Sequence, residues 1–318
     1  MTIQARFADL TTHLEHQIIG QHRLVQRLLI ALLADGHLLV EGPPGLAKTR
    51  AVQALSRAIE ASFKRIQFTP DLLPADIIGA EIFRQETAEF EFVEGPIFHS
   101  LILADEINRA PAKVQSALLE AMAERQVTAY GRELRLPELF MVMATQNPIE
   151  QEGTYPLPEA QLDRFLLHLI VDYPSPADEL DILRLTREEA RSAPDYPFTP
   201  LTVDEIRQAR RALLDLYMSD EVERYIVALI TATRAGHGPE PITSKLAYGA
   251  SPRATLALDR CARAHAWLTG KAFVTPADIQ AVLPDVLRHR LILHYTAEAE
   301  GLTTDDVIRL LMERVPAP

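Results

Sequence analysis

The stretch Gly42-Pro43-Pro44-Gly45-Leu46-Ala47-Lys48-Thr49 constrains this chain more than any other. It follows the apolar run His37-Leu38-Leu39-Val40 and precedes a segment of helical spacing, Arg50 to Ala61. A strand feeding a glycine-containing loop that ends in Lys-Thr is the arrangement that cradles nucleotide phosphates. Backbone N–H groups surround the β-phosphate, the lysine reaches the β- and γ-phosphates, and the threonine hydroxyl binds Mg²⁺. The helix that follows directs its positive N-terminal end at the anion. The usual pattern has glycine where this chain has Ala47. Alanine is the smallest substitute, and the expectation is that Ala47 takes the helical φ of the first turn.

Downstream, Leu101-Ile102-Leu103-Ala104-Asp105-Glu106 reads as an apolar strand ending in two adjacent carboxylates. Beside a phosphate loop, Asp105 suits the Mg²⁺ shell and Glu106 suits polarisation of the water that attacks the γ-phosphate. The run from Phe140 to Pro148 is another buried strand with a polar end, where the Asn147 amide can bond both γ-phosphate and water. Arg164 precedes a further strand, and Arg253 opens a helix in the C-terminal part. Alone, each arginine reads as a surface residue. In this order and spacing both read as γ-phosphate sensors, because a guanidinium carries a permanent charge and a fork that matches phosphate oxygens.

Up to about Tyr173 the chain alternates short apolar runs with helical stretches. Strands are expected at Leu38–Val40, Arg65–Thr69, Leu101–Ala104, Phe140–Ala144 and Leu166–Val171, with helices at Arg50–Ala61 and Ala112–Arg125. Continuous apolar runs of this kind belong to strands buried on both faces, and the alternation predicts an α/β, doubly wound parallel sheet. Two stretches of strict alternation, 82–93 and 127–136, predict hairpins. A proline- and charge-rich segment from Tyr173 to Pro200 is expected to hold the domain boundary, giving a core over 1–178, a linker over 179–199 and an α-helical domain over 200–318. In that last part Thr202 with Glu205 is a capping box, and Ser219, Ser251-Pro252, Thr275-Pro276 and Thr303 each open a helix.

A net charge of −12 argues against generic nucleic-acid affinity, which relies on a basic surface. No run approaches a membrane span, and residues 1–20 lack the pattern of a secretory signal. The single cysteine, Cys261, fits a reducing compartment and reads as a buried structural thiol. The ten histidines show no metal spacing. A cytoplasmic location is expected.

The ordered set Ile19-Gly20-Gln21, G-P-P-G-L-A-K-T, L-I-L-A-D-E-I-N-R-A, M-A-T-Q-N-P, L-P-E-A-Q-L-D-R-F and G-A-S-P-R-A closely resembles the MoxR family of AAA+ ATPases. The resemblance runs from about Ile18 to Leu311, and the run Pro284 to Leu291 also resembles a segment of that family. It implies a P-loop AAA+ core with two inserted hairpins and a small all-α lid. By that likeness ATP with Mg²⁺ is bound, Gly20 and Gln21 lie near the adenine, and residues Gly42 to Arg50 hold the phosphates. Thr49 and Asp105 then hold Mg²⁺, Glu106 is catalytic, Asn147 is the first sensor and Arg253 the second. Arg164 is the arginine finger, reaching a neighbouring subunit's nucleotide in a ring, usually a hexamer in relatives. The implied role is chaperone-like remodelling or assembly of other proteins, with a separate partner chain bearing a von Willebrand factor A domain. A helicase-type nucleic-acid motor, a chelatase-type subunit for metal insertion and a nucleotide-gated scaffold remain the alternatives. For Arg288 and Arg290, contact with an adjacent subunit and a solvated helix face are both open.

Overall fold

The computed structural model describes residues 2–86, 88–148, 153–191 and 197–318. Two helices open the chain, α1 (Ile3–Gln17) and α2 (His22–Leu33), ahead of strand β1 (Leu38–Glu41). After the glycine loop comes α3 (Lys48–Ala58), then β2 (Phe63–Gln67) and the short α4 (Pro74–Ile78). Strands β3 (Gly79–Arg84) and β4 (Glu89–Glu94) form the first hairpin, and β5 (Leu101–Asp105) leads into α5 (Ala112–Glu124). The second hairpin is β6 (Gln126–Ala129) with β7 (Arg132–Arg135); β8 (Met141–Gln146), the one-turn α6 (Glu159–Leu162) and β9 (Leu167–Ile170) complete the α/β part.

Five of these strands make one parallel sheet in the order β2-β5-β8-β1-β9. Its inner strands are the continuous apolar runs of the sequence. Leu38 and Val40 pack on one face of the sheet, Leu39 on the other. The edge strand β2 lies two residues earlier than its sequence predicts. Of its five residues only Ile66 is buried and Phe63 partly so, hence pairing of Phe63 with Leu101 and of Ile66 with Ala104 sets its register rather than an apolar run.

In the segment expected to join the two parts, Pro176–Arg191 forms helix α7. Ser175 caps it: its hydroxyl accepts from the Asp178 N–H, and Asp178 accepts in return from the Ser175 N–H and hydroxyl. Residues 192–196 lie outside the described ones. Beyond them α8 (Val203–Leu214), α9 (Asp220–Thr231), the one-turn α10 (Glu240–Thr243), α11 (Pro252–Leu268), α12 (Pro276–Leu287), α13 (Tyr295–Ala299) and α14 (Thr304–Arg314) make up the helical C-terminal part, with a small ribbon of β10 (Leu246–Tyr248) and β11 (Ile292–Leu293). Each predicted start carries its cap: Thr202, Ser219, Ser251 and Thr303 side chains accept backbone N–H groups, and Asp278 closes the Thr275 box.

This helical part packs on the sheet. Phe7 of α1 stacks edge-on against Trp267 of α11 at 5.2 Å, and one buried apolar cluster runs from the sheet through α1 and α2 to Ile230, Leu258 and Leu283. Cys261 sits in that cluster, its thiol pushed up to about 12 by burial, and is a structural residue. Polar ties reinforce the join. Asp285, fully buried, accepts from Arg23 at 2.8 Å, Arg27 at 2.7 Å and Arg288 at 3.0 Å. Arg288 and Arg290 do not lie on a solvated helix face; both are buried in ion pairs of their own chain.

Candidate active site

The glycine loop closes on itself. Gly42 donates its N–H to the Gln146 carbonyl of β8 at 3.2 Å, and its own carbonyl accepts from Lys48 Nζ at 2.7 Å. A side chain at Gly42 would strike Val171, whose carbonyl lies 2.5 Å from the Cβ position, so only glycine fits. Ala47 has φ 55° and ψ 15°, the left-handed region. The expectation of a helical φ there is wrong. The loop turns at this residue to aim the first amides of α3 at one point, and that turn needs the conformation glycine adopts without strain. Lys48 is half-buried, and desolvation lowers its pKa against the opposing pull of Asp105, Glu106 and Glu41.

Across the loop, β5 delivers its two carboxylates. Asp105 Oδ1 accepts from the Thr145 hydroxyl at 2.6 Å, and Oδ2 accepts from Arg65 Nη2 at 2.5 Å. The same Thr145 oxygen accepts the Glu106 N–H at 2.9 Å. Glu106 stands at φ 56°, again left-handed, which turns its side chain off the strand. Its Oε2 accepts from Gln67 at 2.9 Å and from Arg109 at 3.0 Å. A strained conformation held by bonds on both its backbone and its carboxylate marks a position fixed by its surroundings.

One cavity of about 400 Å³ gathers these parts: Pro44 to Arg50 of the loop and α3, Asp105 and Glu106 of β5, and Asn147 just past β8. A second cleft of about 630 Å³ shares Pro44 to Ala47 and Arg50 with it and extends over apolar walls from Ile19, Tyr173, Pro174, Ile182 and Leu183. Gln21 lines this cleft and donates to the Asp172 carbonyl at 3.0 Å. Gly20, at φ 75°, lets the chain turn into α2 where a Cβ would meet Asp178 at 2.9 Å. Arg50, which lines both cavities, makes a two-pronged ion pair with Glu189 of α7, one contact being 2.9 Å. Polar walls near the lysine and an apolar slot beside them match the two ends of a nucleotide. A threonine hydroxyl and an aspartate oxygen facing the same cavity are the hard donors that Mg²⁺ takes, so the residues present fit that ion.

Arg164 and Arg253 are placed elsewhere. Both line a third cavity of about 320 Å³, together with Asp163, Arg260 and Arg290. Arg164 donates to the Leu119 carbonyl at 2.7 Å, and Arg253 lies 3.5 Å from Asp163 with 69% of its side chain exposed. Neither lines the cavity that holds Lys48.

The model of the ATPase family associated with various cellular activities (AAA) matches residues 37–167, and that of the AAA lid domain matches residues 242–311. Chaperone MoxR1 of Mycobacterium tuberculosis is 46% identical over 95% of this chain and 79% of its own length. Protein MoxR of Methylorubrum extorquens is 34% identical over 95% of this chain and 92% of its own. This chain belongs to the MoxR family of AAA+ ATPases. A crystal structure from Cytophaga hutchinsonii of a protein described as an ATPase superposes with a TM-score of 0.92 at 42% identity, covering 99% of this chain and 96% of the other. The MoxR-type core and lid are thus shared along nearly the whole chain.

Against that family frame, three residues at the site escape a reading along the sequence: Arg65, Gln67 and Thr145. Arg65 and Gln67 reach the carboxylates only because β2 lies beside β5, with Gln67 opposite Asp105. The signal was a polar pair at the end of a strand, which acquires meaning once the strand order is known.

Proposed function

We propose that this MoxR-type protein binds and hydrolyses ATP with Mg²⁺, and uses the cycle to remodel or assemble other proteins. The observation that carries this is the single cavity joining Lys48, Thr49, Asp105, Glu106 and Asn147. Amides of the loop and Lys48 hold the phosphates. Thr49 and Asp105 hold Mg²⁺, which when bound neutralises phosphate charge. Gln67 and Arg109 engage Glu106 through Oε2, and we assign Oε1 to accept the proton of the attacking water. Asn147 orients that water and the γ-phosphate. The apolar cleft beside Gly20 and Gln21 takes the base, with α7 as one wall.

Arg164 and Arg253 share a cavity that the chain's own lysine does not line, so we assign both to the nucleotide of a neighbouring copy. That assignment requires a closed ring, which we take to be a hexamer, and makes turnover depend on assembly, since a finger supplied in trans is worth about 10³–10⁵ in rate. A separate von Willebrand factor A protein as partner and a cytoplasmic location complete the reading. No described helix is long and apolar enough to cross a membrane.

The test of the remodelling role uses Glu106→Gln, which retains ATP. Purified from its native cell with ATP and Mg²⁺, the variant is expected to hold a small set of proteins that it releases in ADP. Capture of nucleic acid instead, lost as salt rises, would replace this reading with a motor.

A further inference from the structure

Arg65 already occupies the carboxylate at which a metal ion is due. On β2 it stands opposite Leu103, with Gln67 opposite Asp105, and Leu103 packs in the same cluster as Val52 and Leu55 of α3. In-register neighbours share a face, so Arg65, Gln67 and Asp105 lie on the side of the sheet that carries the phosphate loop. Arg65 Nε and Nη2 both donate to Asp105 Oδ2, at 3.1 Å and 2.5 Å, and the Thr145 hydroxyl donates to Oδ1 at 2.6 Å. Nη2 also donates to Gln67 Oε1 at 2.9 Å, which orients the fork. The guanidinium is half-exposed and lines the same cavity as Lys48 and Thr49.

An ionised carboxylate offers about four acceptor positions, and these bonds fill most of them. Mg²⁺ takes oxygen donors in near-octahedral geometry, through water or directly, and tolerates little departure from it. A guanidinium and the ion therefore compete for one side chain. Thr145 is buried and belongs to β8, so its bond stays. Arg65 is the partner with room to leave. A half-exposed ion pair between neighbouring strands adds little to stability, so stability alone does not account for a cation on this particular carboxylate.

We propose that Arg65 is a positioning residue that acts through Asp105, holding the carboxylate when Mg²⁺ is absent and yielding it when the ion binds with nucleotide. The pair keeps Asp105 aimed into the cavity while the site is empty of metal, and it lowers the affinity of the site for Mg²⁺. Once released, the guanidinium remains on the cavity wall, where phosphate oxygens match its fork. This role rests on the assignment of Asp105 to Mg²⁺ made above.

The test needs no turnover. Affinity of the full chain for the fluorescent nucleotide mant-ADP is measured with Mg²⁺ and with EDTA, and the ratio of the two is the gain that the metal supplies. Arg65→Gln, which keeps a polar stem but no charge, is expected to raise that gain about tenfold. Asp105→Asn is expected to lower it. With both substitutions the gain should equal that of Asp105→Asn alone, because Arg65 acts only through that carboxylate. A gain in Arg65→Gln equal to or below that of wild type overturns the proposal. So does the same increase in the Asp105→Asn background, since Arg65 would then act on the ion by its charge alone. If Asp105→Asn lowers the gain and Arg65→Gln leaves it unchanged, the metal assignment stands and only the role of Arg65 falls. If Asp105→Asn itself leaves the gain unchanged, the assignment of Asp105 to Mg²⁺ falls, and the proposal with it.

Discussion

Arg290 donates from Nε to Asp163 at 2.7 Å, and through that bond the lid fixes the residue immediately before Arg164. Arg290 also donates to the carbonyls of Phe165 and Leu166, at 2.7 Å and 3.2 Å. Its side chain is 4% exposed, while Arg253 on the same carboxylate is 69% exposed. Removing one partner of a buried pair leaves an uncompensated charge and typically costs 3–5 kcal/mol, whereas an exposed pair is worth roughly 0–1 kcal/mol. Arg290→Ala should therefore lower unfolding stability by about 3 kcal/mol, and Arg253→Ala by less than about 1 kcal/mol. Denaturant titration of both variants reads the order directly; a larger loss for Arg253→Ala would contradict the placement of Asp163.

Thr145 is the hinge pin between the two carboxylate residues. Its hydroxyl serves Asp105 Oδ1 and the Glu106 N–H at once. Thr145→Val keeps the shape and removes both bonds, at a cost of about 1–3 kcal/mol for the polar groups left behind. We expect lower stability and slower ATP hydrolysis, with Thr145→Ser restoring both. If the valine variant hydrolyses ATP at the wild-type rate, the hydroxyl does not position Glu106.

The turn at Ala47 gives a prediction of opposite sign. A non-glycine residue in the left-handed region carries roughly 1–2 kcal/mol of strain, and glycine gives back about 0.4–1 kcal/mol through a freer unfolded chain. Strain is the larger quantity, so Ala47→Gly should raise stability slightly, by up to about 1 kcal/mol. Gly45, at φ 84°, should show the reverse: Gly45→Ala destabilises by a similar amount. A drop in melting temperature for Ala47→Gly would rule out this account of the loop.

His37 predicts a pH dependence. It is buried, donates from Nε2 to the Met122 carbonyl at 3.2 Å and accepts the Val142 N–H on Nδ1 at 3.0 Å. Burial pushes its pKa down to about 4 from 6.5. The unfolded chain therefore binds a proton near pH 6.5 that the folded chain refuses until about pH 4. Stability is full above pH 6.5 and falls as the pH drops through this window, by roughly 3 kcal/mol. Denaturant midpoints across the window should follow that slope in wild type, and the slope should flatten in His37→Gln.

Much of this architecture is legible along the chain. Strands buried on both faces read as apolar runs, and helices whose caps lie next to them in sequence, such as Thr202 with Glu205, read as starts. What stays hidden depends on neighbours distant in sequence. The edge strand β2 takes its register from β5. Arg65 and Gln67 gain a role from the same pairing. Arg288 and Arg290 look like surface charges until Asp285, Asp305 and Asp163 are brought around them. The left-handed turn at Ala47 was hidden for a different reason: a side chain's size does not report its backbone angle.

The most direct test is phosphate release from ATP with Mg²⁺, measured for wild type, Lys48→Ala and Glu106→Gln, alongside nucleotide binding. The account predicts slow but real turnover in wild type and none in Lys48→Ala. For Glu106→Gln it predicts a fall of about 10²-fold or more, with ATP still bound. Turnover unchanged in both variants would contradict it, because the cavity between the loop and β5 would then not be where ATP is cleaved.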